Sequence, residues 1–80
     1  MHWNHRVIRF KDETGEVFHK FAEVFYNDDD TLIGHHEPFM WSETVEGLQE
    51  LVDRLLKATT QPVIDESEFP KDEEIENVDR

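Results

Sequence analysis

Two long runs of alternating side chains, separated by a short polar turn, constrain the fold of this chain more than any other feature. Residues 2–11 (HWNHRVIRFK) and residues 16–26 (EVFHKFAEVFY) both follow the two-residue period of a β-strand. Between them lies Asp12-Glu13-Thr14-Gly15, which has the composition of a tight turn and a glycine for a positive backbone angle. The sequence therefore predicts an antiparallel hairpin.

Both faces of the predicted hairpin carry apolar side chains. An amphipathic helix can cover one face, and the other face is then without an evident cover. That second face either stays open as a site for self-association or partner binding, or is covered by the C-terminal tail or by the residues around Trp41. The sequence leaves these alternatives open.

A third strand and one helix complete the predicted fold. The strand covers roughly residues 32–37 and ends before Pro38, which cannot donate a ladder hydrogen bond. From Ser42 or Thr44 to about Thr59, apolar residues recur at steps of three and four, as in an amphipathic helix, and Thr44 is the preferred N-cap. The predicted fold class is α+β: a three-stranded antiparallel β-meander packed on one amphipathic helix, in the order β-β-β-α.

The charge distribution suggests where the compact domain ends. We predict a single compact domain over residues 1–61 and an acidic tail over residues 62–80, in which eight acidic residues oppose two basic ones. Within the tail, Pro62-Val63-Ile64-Asp65 is expected to be briefly extended, and disorder is expected beyond Phe69-Pro70.

The composition argues against several functional classes. A formal net charge of −12 on 80 residues repels nucleic-acid phosphates, so we predict no direct binding to nucleic acid. The chain has no cysteine, neither serine lies in a G-x-S-x-G turn, and three scattered glycines form no phosphate-binding loop, so we do not predict an enzyme. No secretory leader and no run of bilayer-spanning length is evident, which predicts a cytoplasmic protein without membrane contact.

The acidic stretch Asp28-Asp29-Asp30 admits three interpretations: a calcium loop, a phosphate mimic and a plain turn. A calcium loop of the EF-hand kind is excluded, because counting from Asn27 puts Leu32 where its glycine belongs and Pro38 where its glutamate belongs. The plain turn is favoured, because aspartate and asparagine suit loops between strands. In the phosphate-mimic alternative, the chain inhibits a nucleic-acid-handling complex, as a phage-type anti-defence protein would, with a surface made of Asp28, Asp29, Asp30, Glu43, Glu46, Glu50 and Asp53.

Five histidines suggest a metal site as a further alternative. Adjacent residues on a strand point to opposite faces, so His35 and His36 should not share one ion. His5, His19 and one of that pair could still meet across neighbouring strands. The spacing is weakly specific, and the sequence assigns neither a metal ligand nor a cofactor.

Large apolar residues give the leading functional prediction. The aromatics exceed what one helix can cover, and such residues are enriched at the centres of protein interfaces. We therefore predict a non-enzymatic protein–protein interaction module, with self-association as one form of partner binding. The candidate contact residues are Trp3, Phe21, Phe25, Phe39, Met40 and Trp41.

The order of these features resembles a family of small acidic uncharacterised bacterial proteins. Its members share a W-N-x-R-V-I-R strand, an E-V-x-Y-(N/D)-D-D hairpin and a T-(V/L)-E-x-L helix followed by P-V-(I/L)-D. The corresponding segments here are residues 3–9, 23–29, 44–48 and 62–65, so the resemblance covers most of residues 3–68. Thr31-Leu32 replaces the glycine usual after the acidic turn. The resemblance implies the strand-strand-strand-helix order and no activity.

Overall fold

The computed structural model describes residues 1–70, which form a mixed four-stranded sheet and one α-helix. The sheet curls into a half-barrel and has the strand order β3-β2-β1-β4. None of the helices within residues 1–70 is long and apolar enough to cross a bilayer. The elements are β1 (His2–Lys11), β2 (Val17–Tyr26), β3 (Leu32–His36), α1 (Val45–Ala58) and β4 (Ile64–Asp65), followed by a 3-10 helix (Glu66–Glu68).

The predicted hairpin is present, with β1 and β2 paired antiparallel from His2 opposite Tyr26 to Lys11 opposite Val17. Its turn is organised by Asp12, whose Oδ1 accepts hydrogen bonds from the backbone N–H and the hydroxyl of Thr14 and from the N–H of Glu16. Gly15 has φ of 89°, a conformation that glycine adopts at low cost. Gly15 thus supplies the positive backbone angle that the sequence predicted, and Asp12 accepts the hydrogen bonds that organise the turn.

The acidic stretch forms the turn between β2 and β3. Asp29 Oδ1 accepts hydrogen bonds from the backbone N–H and the hydroxyl of Thr31, and Asp30 adopts the left-handed conformation with φ of 70°. Asp28 pairs with the N-terminal ammonium group, and Asp30 lies 3.1 Å from His2 Nε2. All three carboxylates thus have local partners in a turn.

The prediction of a purely antiparallel, three-stranded sheet was wrong, because β4 adds a fourth strand that runs parallel to β1. Ile64 lies opposite Ile8, and Asp65 lies opposite Arg9. The Arg9 guanidinium contacts Asp65 Oδ1 through Nε at 2.9 Å and Nη2 at 2.8 Å. A two-residue strand is too short to show a period in the sequence, so pairing with β1 had to be seen in three dimensions.

The main hydrophobic core lies on one face of the sheet, and the C-terminal segment covers it. Its buried members are Ile8, Ala22, Val24, Tyr26, Ile64 and Phe69, with Phe10 and Leu32 packed at the edge. Residues 62–70, which the sequence analysis assigned to the tail, therefore contribute side chains to the core. The predicted disorder falls mainly on residues 71–80, which lie outside the described residues.

The helix packs across β1 on the opposite face of the sheet, beside Trp3 and His5. Thr44 is the N-cap, as predicted, with its Oγ1 accepting a hydrogen bond of 3.0 Å from the Gly47 N–H. Only Leu55 and Ala58 are buried on the helix. The helix therefore uses part of its apolar face for packing and leaves the rest exposed.

Candidate functional site

Two adjoining clefts separate α1 from the beginning of β1, and they share Trp3, His5 and Arg54. The first, about 300 Å³, is called the aromatic cleft, and the second, about 570 Å³, is called the basic cleft. The aromatic cleft is lined by Trp3, His5, Glu23, Phe39, Trp41, Ser42, Gly47, Glu50, Leu51 and Arg54. The basic cleft is lined by Trp3, Asn4, His5, Arg54, Lys57, Ala58 and Gln61.

A series of neighbouring rings lies beside the aromatic cleft, whose lining includes Trp3, His5, Phe39 and Trp41. Trp3 lies 5.3 Å from His5 and 6.5 Å from Phe25 between ring centroids. The series continues through His36, which lies 5.0 Å from Phe25 and 6.4 Å from Phe39. It ends with Phe39 and Trp41, which meet edge to face at 6.5 Å. Four of the six predicted contact residues, Trp3, Phe25, Phe39 and Trp41, are thus brought together.

The remaining two predicted contact residues lie apart from this series of rings. Phe21 is half-buried on the same sheet face, opposite Val7 on β1. Met40 is exposed in the connection between β3 and α1. Residues 39–41, hereafter the apolar loop, expose 65%, 59% and 68% of their surfaces in chain order. The apolar loop is therefore exposed to solvent, and two of its residues, Phe39 and Trp41, also line the aromatic cleft.

A buried histidine and a buried glutamate form the floor of the aromatic cleft. His5 lies opposite Glu23 in the β1–β2 register, and Glu23 Oε1 lies 3.3 Å from His36 Nε2 on β3. Desolvation by burial lowers the pKa of His5 below 6.5, and the Arg54 charge lowers it too, whereas the Glu23 carboxylate raises it. Neighbouring strands thus bring His5, Glu23 and His36 together on one face of the sheet.

The proposed meeting of three histidines is not assembled in residues 1–70, where no group of three His, Cys, Asp or Glu side chains could hold a metal ion. The register places His19 opposite Arg9 and away from His5, which lies opposite Glu23. His35 contacts Phe69 on the core face at 4.7 Å, whereas His36 faces Glu23. The two adjacent histidines thus point to opposite faces, as their position on a strand predicts.

The outer side of α1 carries an exposed apolar row, hereafter the helix stripe. Its members recur at three- and four-residue steps, which places them on one side of the helix. They expose 67%, 40%, 60% and 65% of their surfaces and are Val45, Leu48, Val52 and Leu56. The sequence predicted this apolar period, but it also predicted that the sheet would bury it.

The predicted acidic surface is divided between two elements. Asp28, Asp29 and Asp30 occupy the β2–β3 turn. Its other members precede or belong to α1 and are Glu43, Glu46, Glu50 and Asp53. Glu50 lines the aromatic cleft, so it is not part of a separate acidic face.

The residues that give the basic cleft its charge, Arg54 and Lys57, are not among the predicted site residues. In the sequence, Arg54 and Lys57 fall on the polar side of the predicted helix, and Gln61 follows its predicted end at about Thr59. Their spacing of three places Arg54 and Lys57 on one side of α1, which is visible in the sequence. The approach of that side to Trp3 depends on tertiary packing, so it is not visible in the sequence.

No family model, curated protein or solved structure in the comparisons matches the chain. The resemblance to a family of small acidic bacterial proteins therefore stays a prediction.

Proposed function

We propose that the protein is a non-enzymatic protein–protein interaction module and that its helix stripe binds a second copy of the chain. The observation that carries the proposal is the exposure of four aliphatic side chains along one line of a single helix. Soluble domains bury such rows against another element, and a large exposed patch marks an interaction surface. The open clefts, with Trp3 48% exposed, offer little exclusion of water, which favours binding over catalysis.

The geometry of the helix stripe suits an antiparallel pair of helices related by a twofold axis. From Val45 to Leu56 the stripe spans eleven steps, or about 17 Å at about 1.5 Å per residue. A twofold contact is self-complementary, so each stripe can pack into the other.

The expected association is weak. Burying a fully exposed aliphatic side chain contributes about 1.5–3 kcal/mol, so the partly exposed members of two stripes together supply roughly 7–14 kcal/mol. Association costs about 4–15 kcal/mol of translational and rotational freedom. The two amounts are of similar size, so the dimer is expected to be weak.

Sedimentation equilibrium of Val52→Gln tests this proposal. The variant should shift the monomer–dimer equilibrium toward monomer, because a polar amide replaces a side chain at the centre of the stripe. The matched control is Val17→Gln, since Val17 is also exposed but lies at the start of β2. Equal effects of the two substitutions, or a monomeric wild-type protein at every concentration, would contradict the proposal.

The phosphate-mimic alternative has its own test and a different salt response. In that alternative, replacing Asp28, Asp29 and Asp30 by asparagine weakens binding to a basic partner, and added salt weakens it as well. Self-association through the helix stripe should instead strengthen with salt, because salt screens repulsion between two chains of net charge −12.

A further inference from the structure

We propose that the basic cleft binds a carboxylate group attached to an apolar or aromatic body. This site lies on the side of α1 away from the helix stripe and is independent of the proposed self-association.

The lining of the basic cleft is cationic in a strongly acidic chain. Arg54 and Lys57 contribute two positive charges, and no carboxylate belongs to the lining. The whole chain has 20 acidic residues against 8 basic ones, so a cleft without an acid departs from the composition of the surroundings. Repulsion by more distant carboxylates is screened beyond about 8 Å at physiological ionic strength. Glu23 and Glu50 line the adjoining aromatic cleft, whereas Arg54 and Lys57 are the formally charged residues in the lining of the basic cleft itself.

The two cations make no ion pair with a carboxylate of residues 1–70. The helix offers each of them a candidate, because Glu50 precedes Arg54 by four residues and Asp53 precedes Lys57 by four. This order, with the acid nearer the N-terminus, is the favourable one for helix ion pairs. Arg54 shares the lining of the aromatic cleft with Glu50 without an ion pair between them, and the lining of the basic cleft itself holds no carboxylate.

The remaining walls suit the body of the ligand. The Trp3 indole is 48% exposed and, with Ala58, offers an apolar surface, whereas Asn4 and Gln61 offer amide groups. A volume of about 570 Å³ can hold a small organic acid or the last residue of a peptide. The guanidinium of Arg54 presents a planar pair of donors that matches a carboxylate. A carboxylate next to a ring or an aliphatic group therefore satisfies both the charged and the apolar walls.

NMR titration of the full chain with 3-phenylpropionate tests the proposal. The Trp3 indole N–H and the Gln61 side-chain amide should shift saturably, whereas 3-phenylpropanamide, which has the same body without the charge, should give no saturable shift. A peptide ending in phenylalanine is compared as the free acid and as the C-terminal amide. Tighter binding of the peptide acid identifies a chain terminus as the source of the carboxylate, and tighter binding of the small acid identifies a metabolite.

Substitutions separate the cleft from general electrostatics. Arg54→Gln should weaken binding of 3-phenylpropionate by about tenfold or more, because it removes a charge-assisted hydrogen bond. Lys11→Gln removes an exposed cation on β1 that does not line the cleft, and it should leave the affinity unchanged. Val52→Gln should also leave it unchanged, which distinguishes this site from the helix stripe. Equal binding of acid and amide, equal loss in Arg54→Gln and Lys11→Gln, or no saturable shift would overturn the proposal.

Discussion

At the scale of single residues, His5 and Glu23 are buried where the sheet borders the clefts. His5 lines both clefts, and Glu23 lines the aromatic cleft. His5 gains its environment from the register of the hairpin, which places it opposite Glu23, and from α1, which brings Arg54 beside it. The alternation in the sequence predicted the face on which His5 lies. It could not predict burial, because the helix that supplies Arg54 packs there only in three dimensions.

Replacement of Glu23 by glutamine should lower the pKa of His5 further, because it removes the carboxylate that stabilises the imidazolium form. The pKa is measured from the His5 ring protons by NMR. In the wild-type protein it should lie below 6.5, so the folded state loses stability as pH falls below about 6.5, where the unfolded chain binds the proton first. An unchanged His5 pKa in Glu23→Gln would contradict the assigned role of Glu23.

Asp65 should give the fold a second, more acidic pH dependence. Hydrogen bonds from the Ser67 hydroxyl and backbone, together with Arg9, lower the pKa of Asp65 to about 2. Its contribution to stability is therefore present above pH of about 3.8 and is lost as pH falls toward about 2. Urea unfolding at several pH values should show a shallower loss between pH 4 and 2 for Asp65→Asn. Asp53→Asn, on the exposed side of α1, is the control and should retain the wild-type slope.

At the scale of elements, the C-terminal segment covers the sheet face for which the sequence offered no single cover. Ile64 and Phe69 are the two residues of this segment in the core. The strand-strand-strand-helix order was predictable because each of those elements shows a period over several residues. The covering of the core by residues 62–70 was not predictable, because this segment has only two strand residues and one short turn of helix. Its composition is also that of an acidic tail.

Phe69→Ala should destabilise the fold by about 3–5 kcal/mol, the range typical for removing a buried phenylalanine side chain. The reason is that Phe69 packs against His35 and belongs to the hydrophobic core, although it is not part of a strand. Thermal or urea unfolding measures the loss, with Val63→Ala as the control, since Val63 is exposed in the same segment. A loss below 1 kcal/mol for Phe69→Ala would mean that residues 62–70 do not secure the core.

The N-terminus of α1 supplies a test of local packing. Glycine to alanine in a helix usually stabilises by about 1 kcal/mol. At Gly47, however, a new Cβ would lie 1.9 Å from Ser42 Oγ and 2.9 Å from Ser42 Cβ. Gly47→Ala should therefore destabilise the wild-type protein, and it should become stabilising when Ser42 is replaced by glycine. Unfolding free energies of the two single variants and the double variant decide this, and additive effects would refute the contact.

At the scale of the whole molecule, the fold divides its apolar residues between a covered face and an exposed one. The core face is covered by the C-terminal segment, whereas the helix stripe and the apolar loop remain exposed in the single chain. The abundance of aromatics in the sequence predicted a surplus, and the structure places much of it around the aromatic cleft and the apolar loop. The exposure of the helix stripe on the outer side of α1 could not be predicted, because it depends on how little of the helix the sheet buries.

Sedimentation equilibrium of the wild-type protein, over a wide concentration range at low and high salt, tests the central claim most directly. The account predicts a monomer–dimer equilibrium that shifts toward dimer as salt rises, because screening relieves the repulsion between two chains of net charge −12 while the apolar contact persists. A protein that stays monomeric throughout, or a dimer that dissociates as salt rises, would contradict self-association through the helix stripe.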